Sequence, residues 1–101
     1  MSRPRNFWYP YVVKMIKRYP KKLQADGTMQ AAIAEIAIRK ALSETLKMRD
    51  GEERVRVVEM VYIKQTHTME AAASQIPVSE RTAQRWSQVF IYLCAKHMGM
   101  R

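Results

Sequence analysis

Apolar residues recur along most of this chain at steps of three and four, the spacing that places them on one side of a helix. Val12, Met15, Ile16 and Tyr19 mark a first helix over 7–19, with Pro10 in its first turn and Pro20 ending it. Trp8 and Tyr11 are expected to pack near its start, and Lys14, Lys17 and Arg18 lie off the apolar stripe. Lys21 and Lys22 carry the positive surface into a linker, and Ala25-Asp26-Gly27 reads as a turn. Thr28 can cap a second helix over 29–48, with Ile33, Ile36, Ala37, Ala41, Leu42 and Leu46 on its apolar face. Glu35 with Arg39 and Lys40 with Glu44 are i, i+4 pairs of opposite charge that support it weakly. Asp50-Gly51 is the next turn.

The stretch 52–65 is ambiguous in its pattern. Its β-branched content, and the alternation in Arg54-Val55-Arg56-Val57, favour a strand. Val55, Val58, Val61 or Tyr62, and Gln65 also fit a helical stripe, and Glu52 and Glu53 suit a helix N-terminus. A lone strand would have no pairing partner, so the expectation is a helix.

Residues 68–90 carry the sharpest signal. Thr68 is a good N-cap, Met69 and Glu70 open a short helix, and Ala71, Ala72 and Ala73 allow a neighbour to come close. Ile76 closes that helix, and Pro77 blocks its continuation because it has no N–H and a fixed φ. Val78 can turn back into the core. Ser79 is a second N-cap, and a helix over about 80–97 follows, with Gly99 beyond it as a stop. Two helices joined by so short a turn form the skeleton of the DNA-binding helix-turn-helix. The expected fold is therefore all-α: one domain of four to five helices with a C-terminal helix-turn-helix. Residues 1–6 would be a flexible basic arm, 7–50 a helical support region, and 52–98 the helix-turn-helix region with a long C-terminal recognition helix.

The last helix has two faces. Ala83, Trp86, Phe90, Leu93 and Cys94 form an apolar stripe, while Arg81, Gln84, Arg85 and Gln88 share another side at i, i+3, i+4 and i+7. Arg and Gln carry the paired groups that match guanine and adenine edges in the major groove. Glu80 can accept from a cytosine amino group or simply stabilise the helix N-terminus. Glu80, Arg81, Gln84, Arg85 and Gln88 are thus the candidate base contacts, against the plainer reading of a solvated face. Thr68, Ser79, Thr82, Arg3, Arg5, Lys21 and Lys22 are the candidate phosphate contacts.

Charge adds weight to this picture. The net charge is +9 over 101 residues, which favours a polyanionic partner, with an acidic protein or an anionic membrane as rivals. Residues 1–50 hold 11 Lys or Arg against 4 acids, and residues 51–101 hold 7 against 5, so the N-terminal half supplies most of the field. Apolar residues at 48% fit a folded chain, and one cysteine excludes an internal disulfide. No apolar run approaches the ~20 residues of a membrane span, and no signal peptide is visible.

Other chemistry finds little support. Cys94 and His97 are three apart, but no second pair with zinc spacing exists, and no acid stands near to orient a catalytic dyad. The three glycines are scattered and make no phosphate loop. Glu52, Glu53 and Glu59 do not compose a two-metal nuclease site. No enzyme, cofactor or metal is expected.

The order Thr68, Glu70, Ala73, Ile76, Val78, Ser79, Thr82, Ala83, Trp86 resembles the pattern T-x-E-x-x-A-x-x-L-G-V-S-x-x-T-V-x-x-I of the promoter-reading helix-turn-helix in sigma factor region four. Pro77 stands where Gly is usual, and Trp86 where Ile or Leu is usual. Ser79-Glu80-Arg81-Thr82-Ala83 followed by a long helix is similar to the RinA- and ArpU-like phage regulators of late transcription. Phe7-Trp8-Tyr9-Pro10 and Arg18-Tyr19-Pro20 also look like segments of small phage and prophage regulators. The resemblance implies transcription activation, not catalysis. The expected partner is double-stranded DNA in a bacterial host cytoplasm, and because a single module reads few base pairs, either a homodimer or help from RNA polymerase is expected. Two other classes stay open: a small terminase-like protein of phage genome packaging, and a basic protein-interaction module.

Overall fold

The computed structural model describes residues 7–100, all of whose regular structure is helical. Six α-helices are present: α1 (Tyr9–Arg18), α2 (Lys21–Asp26), α3 (Met29–Leu46), α4 (Gly51–Val58), α5 (Met69–Gln75) and α6 (Glu80–His97). A π-helical turn, Glu59–Ile63, prolongs α4. The all-α expectation holds, while the count exceeds the four or five helices expected, because the segment read as a linker folds. Lys21 and Lys22 open α2, which is anchored by one buried side chain, Leu23. Asp26 belongs to that helix, and the turn begins only at Gly27, whose φ of 79° suits a residue without a Cβ.

Three helix starts follow the capping chemistry of the sequence. Thr28 Oγ1 accepts from Ala31 N at 3.1 Å, Thr68 Oγ1 from Ala71 N at 3.1 Å, and Ser79 Oγ from Thr82 N at 3.0 Å. Each satisfies an orphan donor of a first turn.

The packing divides into two apolar clusters. The larger joins the N-cap Trp8 and α1 (Val12, Met15, Ile16), Leu23 of α2, the alanine side of α3 with Ile38, Val58, and the later turns of α6 (Phe90, Ile91, Cys94, Ala95). The smaller holds Val57, Ala73, Ile76, Ala83 and Trp86, with Met60, Val61, Met69 and Val78 against it. Val57 and Val58 are neighbours in sequence yet serve different clusters. Trp8 is buried as expected and its ring meets Tyr92 edge-on at 5.5 Å, while Tyr11 is half-buried.

The apolar face of α3 is only partly the expected one: Ala37 and Ala41 are buried and Leu42 is half-buried on the larger cluster, but the face is rotated towards the alanines. Ala31, Ala34, Ala37, Ile38, Ala41 and Thr45 are buried, whereas Ile33, Ile36 and Leu46 are exposed. The cause is the close approach of α6, which makes its most extensive contact with α3. Alanines let two backbones come near, and isoleucine at those positions would hold them apart. Thr45 buries its hydroxyl without penalty by donating to Ala41 O at 2.7 Å.

The 52–65 stretch is helical, as expected, but not uniformly. It is α-helical to Val58, then widens so that Lys64 N donates to Glu59 O, five residues back, at 2.7 Å. The wider turn rotates the sequence, so Met60 and Val61 pack on the smaller cluster and Tyr62 and Ile63 on the larger. Of the stripe proposed from spacing, Val58 is fully buried, Val55, Val61 and Tyr62 are half-buried, and Gln65 lies outside in a left-handed conformation, φ 56°.

Candidate nucleic-acid interface

The two C-terminal helices and their turn are built by the residues the sequence marked. Helix α5 ends at Gln75, and the C-cap residue Ile76 is buried in the smaller cluster. Val78 N donates to Ala73 O at 2.9 Å, closing the turn, and its side chain packs half-buried on the same cluster. Ser79 then starts α6, its hydroxyl accepting from Thr82 N and donating to Thr82 Oγ1 at 2.9 Å.

On α6 the apolar stripe is buried at Ala83, Trp86, Phe90 and Cys94, with Leu93 half-buried. Ile91, Ala95 and Ser87 are buried too; Ser87 is the polar member, donating to Ala83 O at 3.0 Å. Glu80, Arg81, Gln84, Arg85 and Gln88 are all exposed. The five thus lie together on the free side of the first turns of one helix. Glu80 stands in the first turn, where a negative charge suits the helix N-terminus, and Gln84 Nε2 donates to its Oε2 at 3.5 Å.

The candidate phosphate contacts divide. Thr68 and Ser79 are exposed caps; Thr82 is half-buried beside Ser79 on the helix of the candidate base contacts, and Thr68 precedes Met69, which shares a groove with Gln84 and Gln88. Lys21 and Lys22 are exposed on α2, which packs on α1 and α3 and touches neither α5 nor α6. The structure therefore does not bring them to the candidate face. Arg3, Arg5 and the arm over 1–6 lie outside the described residues.

Two features of the site have no signal in sequence spacing. Arg54 of α4 places its guanidinium 5.5 Å from the centre of the Trp86 ring while its Nε donates to Arg49 O at 2.9 Å. It braces α4 against α6 from 32 positions away, too far for periodicity to register. The second is a groove of about 290 Å³ lined by Tyr9, Tyr62, Met69, Gln84, Ser87 and Gln88, which sets the start of α1 beside two of the reading residues.

The Cys94–His97 pair does not form a site. Cys94 is buried, and burial pushes its thiol far above the usual range, so it behaves as an apolar side chain. His97 Nε2 lies 3.0 Å from Glu44 Oε1, and this contact holds the Glu44 carboxyl below its usual range. Among the described residues no cluster of His, Cys, Asp or Glu could hold a metal ion, and no helix is long and apolar enough to cross a membrane. The chain matches no family model, no curated protein and no solved structure.

Proposed function

We propose that this protein is a sequence-specific double-stranded DNA-binding regulator of transcription, acting in a bacterial host cytoplasm as an activator of phage or prophage genes. The observation that carries this reading is the division of α6: Arg81, Gln84, Arg85 and Gln88 are exposed on one side, and Ala83, Trp86 and Phe90 are locked in the core on the other. A helix so fixed, entered through a tight turn and carrying forked Arg and Gln donors, has the shape and chemistry to lie in a major groove. The net charge of +9 supplies the sequence-independent attraction that such binding uses. Thr68, Ser79 and Thr82, at the starts of α5 and α6, are the hydroxyls we assign to the flanking phosphates. A single module reads few base pairs, so a homodimer or help from RNA polymerase completes the reading.

Fluorescence anisotropy at about 0.15 M salt tests it, with the upstream regions of neighbouring operons against shuffled DNA of equal length. Discrimination of about a thousandfold or more is the expected result. Equal, steeply salt-dependent binding to both would instead support a packaging or architectural protein, and a ring of many subunits would support a terminase-like role. Arg85→Ala should lower affinity for the preferred site by roughly 1–3 kcal/mol with little change on shuffled DNA. An equal loss on both reassigns Arg85 to the phosphate backbone.

A further inference from the structure

The outward side of α3 bears apolar residues that the fold leaves uncovered. Met29 is 76% exposed, Ile33 45% and Ile36 46%, and they follow one another at steps of four and three. The same spacing continues through Lys40 and, one heptad on, Lys47, both exposed. The result is a seam about 27 Å long at 1.5 Å per residue, apolar in its first half and cationic in its second. Its apolar part exposes on the order of 300 Å², comparable to the largest apolar patch of a typical monomer, which is often functional. The acids of this helix are already engaged: Glu35 with Arg39 at 2.8 Å, and Glu44 with His97. A shallow depression lies beneath Ile36, between Arg39, Lys40 and Ser43.

We infer that this seam docks an acidic amphipathic helix of another protein, apolar where it meets Met29, Ile33 and Ile36 and carboxylate-bearing where it meets Lys40 and Lys47. Charge selects this occupant. A two-fold pair of identical chains lays the seam on itself. Parallel, it sets Lys40 against Lys40; antiparallel and overlapped along its whole length, it lays the cationic half on the apolar half. In either full overlap the lysines face no carboxylate, and both copies carry +9. An acidic helix answers both halves at once. Helix α3 meets α6 through its alanine side and the later turns of α6, whereas the candidate base contacts lie on the first turns of α6, so the inference uses none of those residues and does not depend on DNA binding.

The test uses the full chain and a synthetic 21-residue peptide with a leucine heptad seam and glutamate flanks, beside its counterpart with every Glu replaced by Lys. Titration is followed by amide NMR. The glutamate peptide should shift signals of residues 29–47 saturably, and the lysine peptide should not. Ile36→Gln with Lys40→Glu should weaken the glutamate peptide at least about tenfold, while amide signals outside α3 stay in place. Lys40→Glu with Lys47→Glu, both at exposed positions, should transfer binding to the lysine peptide. No saturable shift overturns the inference, as does equal binding of the two peptides. Concentration-dependent shifts of α3 with a doubled mass would assign the seam to a second copy. Shifts with phosphatidylserine vesicles but not with the peptide would assign it to a membrane surface.

Discussion

Replacing Trp86 by alanine tests the assignment of faces on α6 most directly. The ring is 8% exposed and belongs to the smaller cluster, whose other buried members are Val57, Ala73, Ile76 and Ala83. Two of those four are alanines, so the indole supplies much of the apolar volume that holds α5 to α6. Removing a buried Trp or Phe costs about 3–5 kcal/mol, and a cluster this small has few long side chains that could move in to refill the space. The Arg54 guanidinium over the ring adds about 0.5–1 kcal/mol that is lost as well. About 4 kcal/mol is a large share of the 5–15 kcal/mol that stabilises a domain of this size. It corresponds to a fall in Tm of about 15–30 °C. Urea unfolding followed by far-ultraviolet circular dichroism measures the loss, and Trp8 remains as a fluorescent reporter of the larger cluster. Trp86→Phe should recover more than half of the stability, since it restores most of the volume. A loss below about 1 kcal/mol for Trp86→Ala would mean that this side of α6 is not held in a core, and the reading face would then have to be sought elsewhere.

Ser79→Ala removes the acceptor for Thr82 N at the start of α6 and should lower stability by about 1 kcal/mol in the same assay, with Ser79→Asp retaining most of it. Gly51→Ala should destabilise by about 1–3 kcal/mol or more, because a Cβ at this buried position falls on the backbone carbonyl of Leu46; a variant as stable as the parent would contradict the close packing there. Asp26 accepts from Thr28 and pairs with Arg18, in that order of effect, and its carboxyl is held down at about 2. A depressed carboxyl stabilises the fold above its unfolded value near 4 and loses that contribution as pH falls towards 2. The Tm difference between the parent and Asp26→Asn should therefore be largest above about pH 4 and shrink below it. A difference that stays constant from pH 6 to pH 2 would show that the ionised carboxyl plays no part.

What could be read in the sequence was local chemistry. Thr28, Thr68 and Ser79 announce helix starts because a side-chain oxygen can reach a bare amide three residues on, whatever the rest of the chain does. Pro77 announces a stop for an equally local reason. The two faces of α6 were legible because large apolar and forked polar residues alternate there without ambiguity. The face of α3 was not, since alanine and isoleucine are both apolar and only the approach of another helix decides between them. Helix α2 escaped notice because six residues with one buried leucine carry no period. The π-helical turn escaped for a related reason: a bond to the fifth residue back leaves no mark on a pattern judged at three and four. Lys21 and Lys22 look like phosphate contacts by composition alone, and their distance from α5 and α6 is a property of the assembled helices.

Helix α6 passes unbroken from one cluster to the other, with Ala83 and Trp86 in the smaller and Phe90, Ile91, Cys94 and Ala95 in the larger. A ligand gripping its first two turns therefore holds a rod whose far end is embedded beneath α1 and α3. Its binding free energy is shared by the whole domain and not confined to α5 and the turn. At a hundred times its Kd, such a ligand adds about 2.7 kcal/mol to the folded state. That gain should appear in the melting of Trp8, which caps a different helix from the one that carries the gripping side chains.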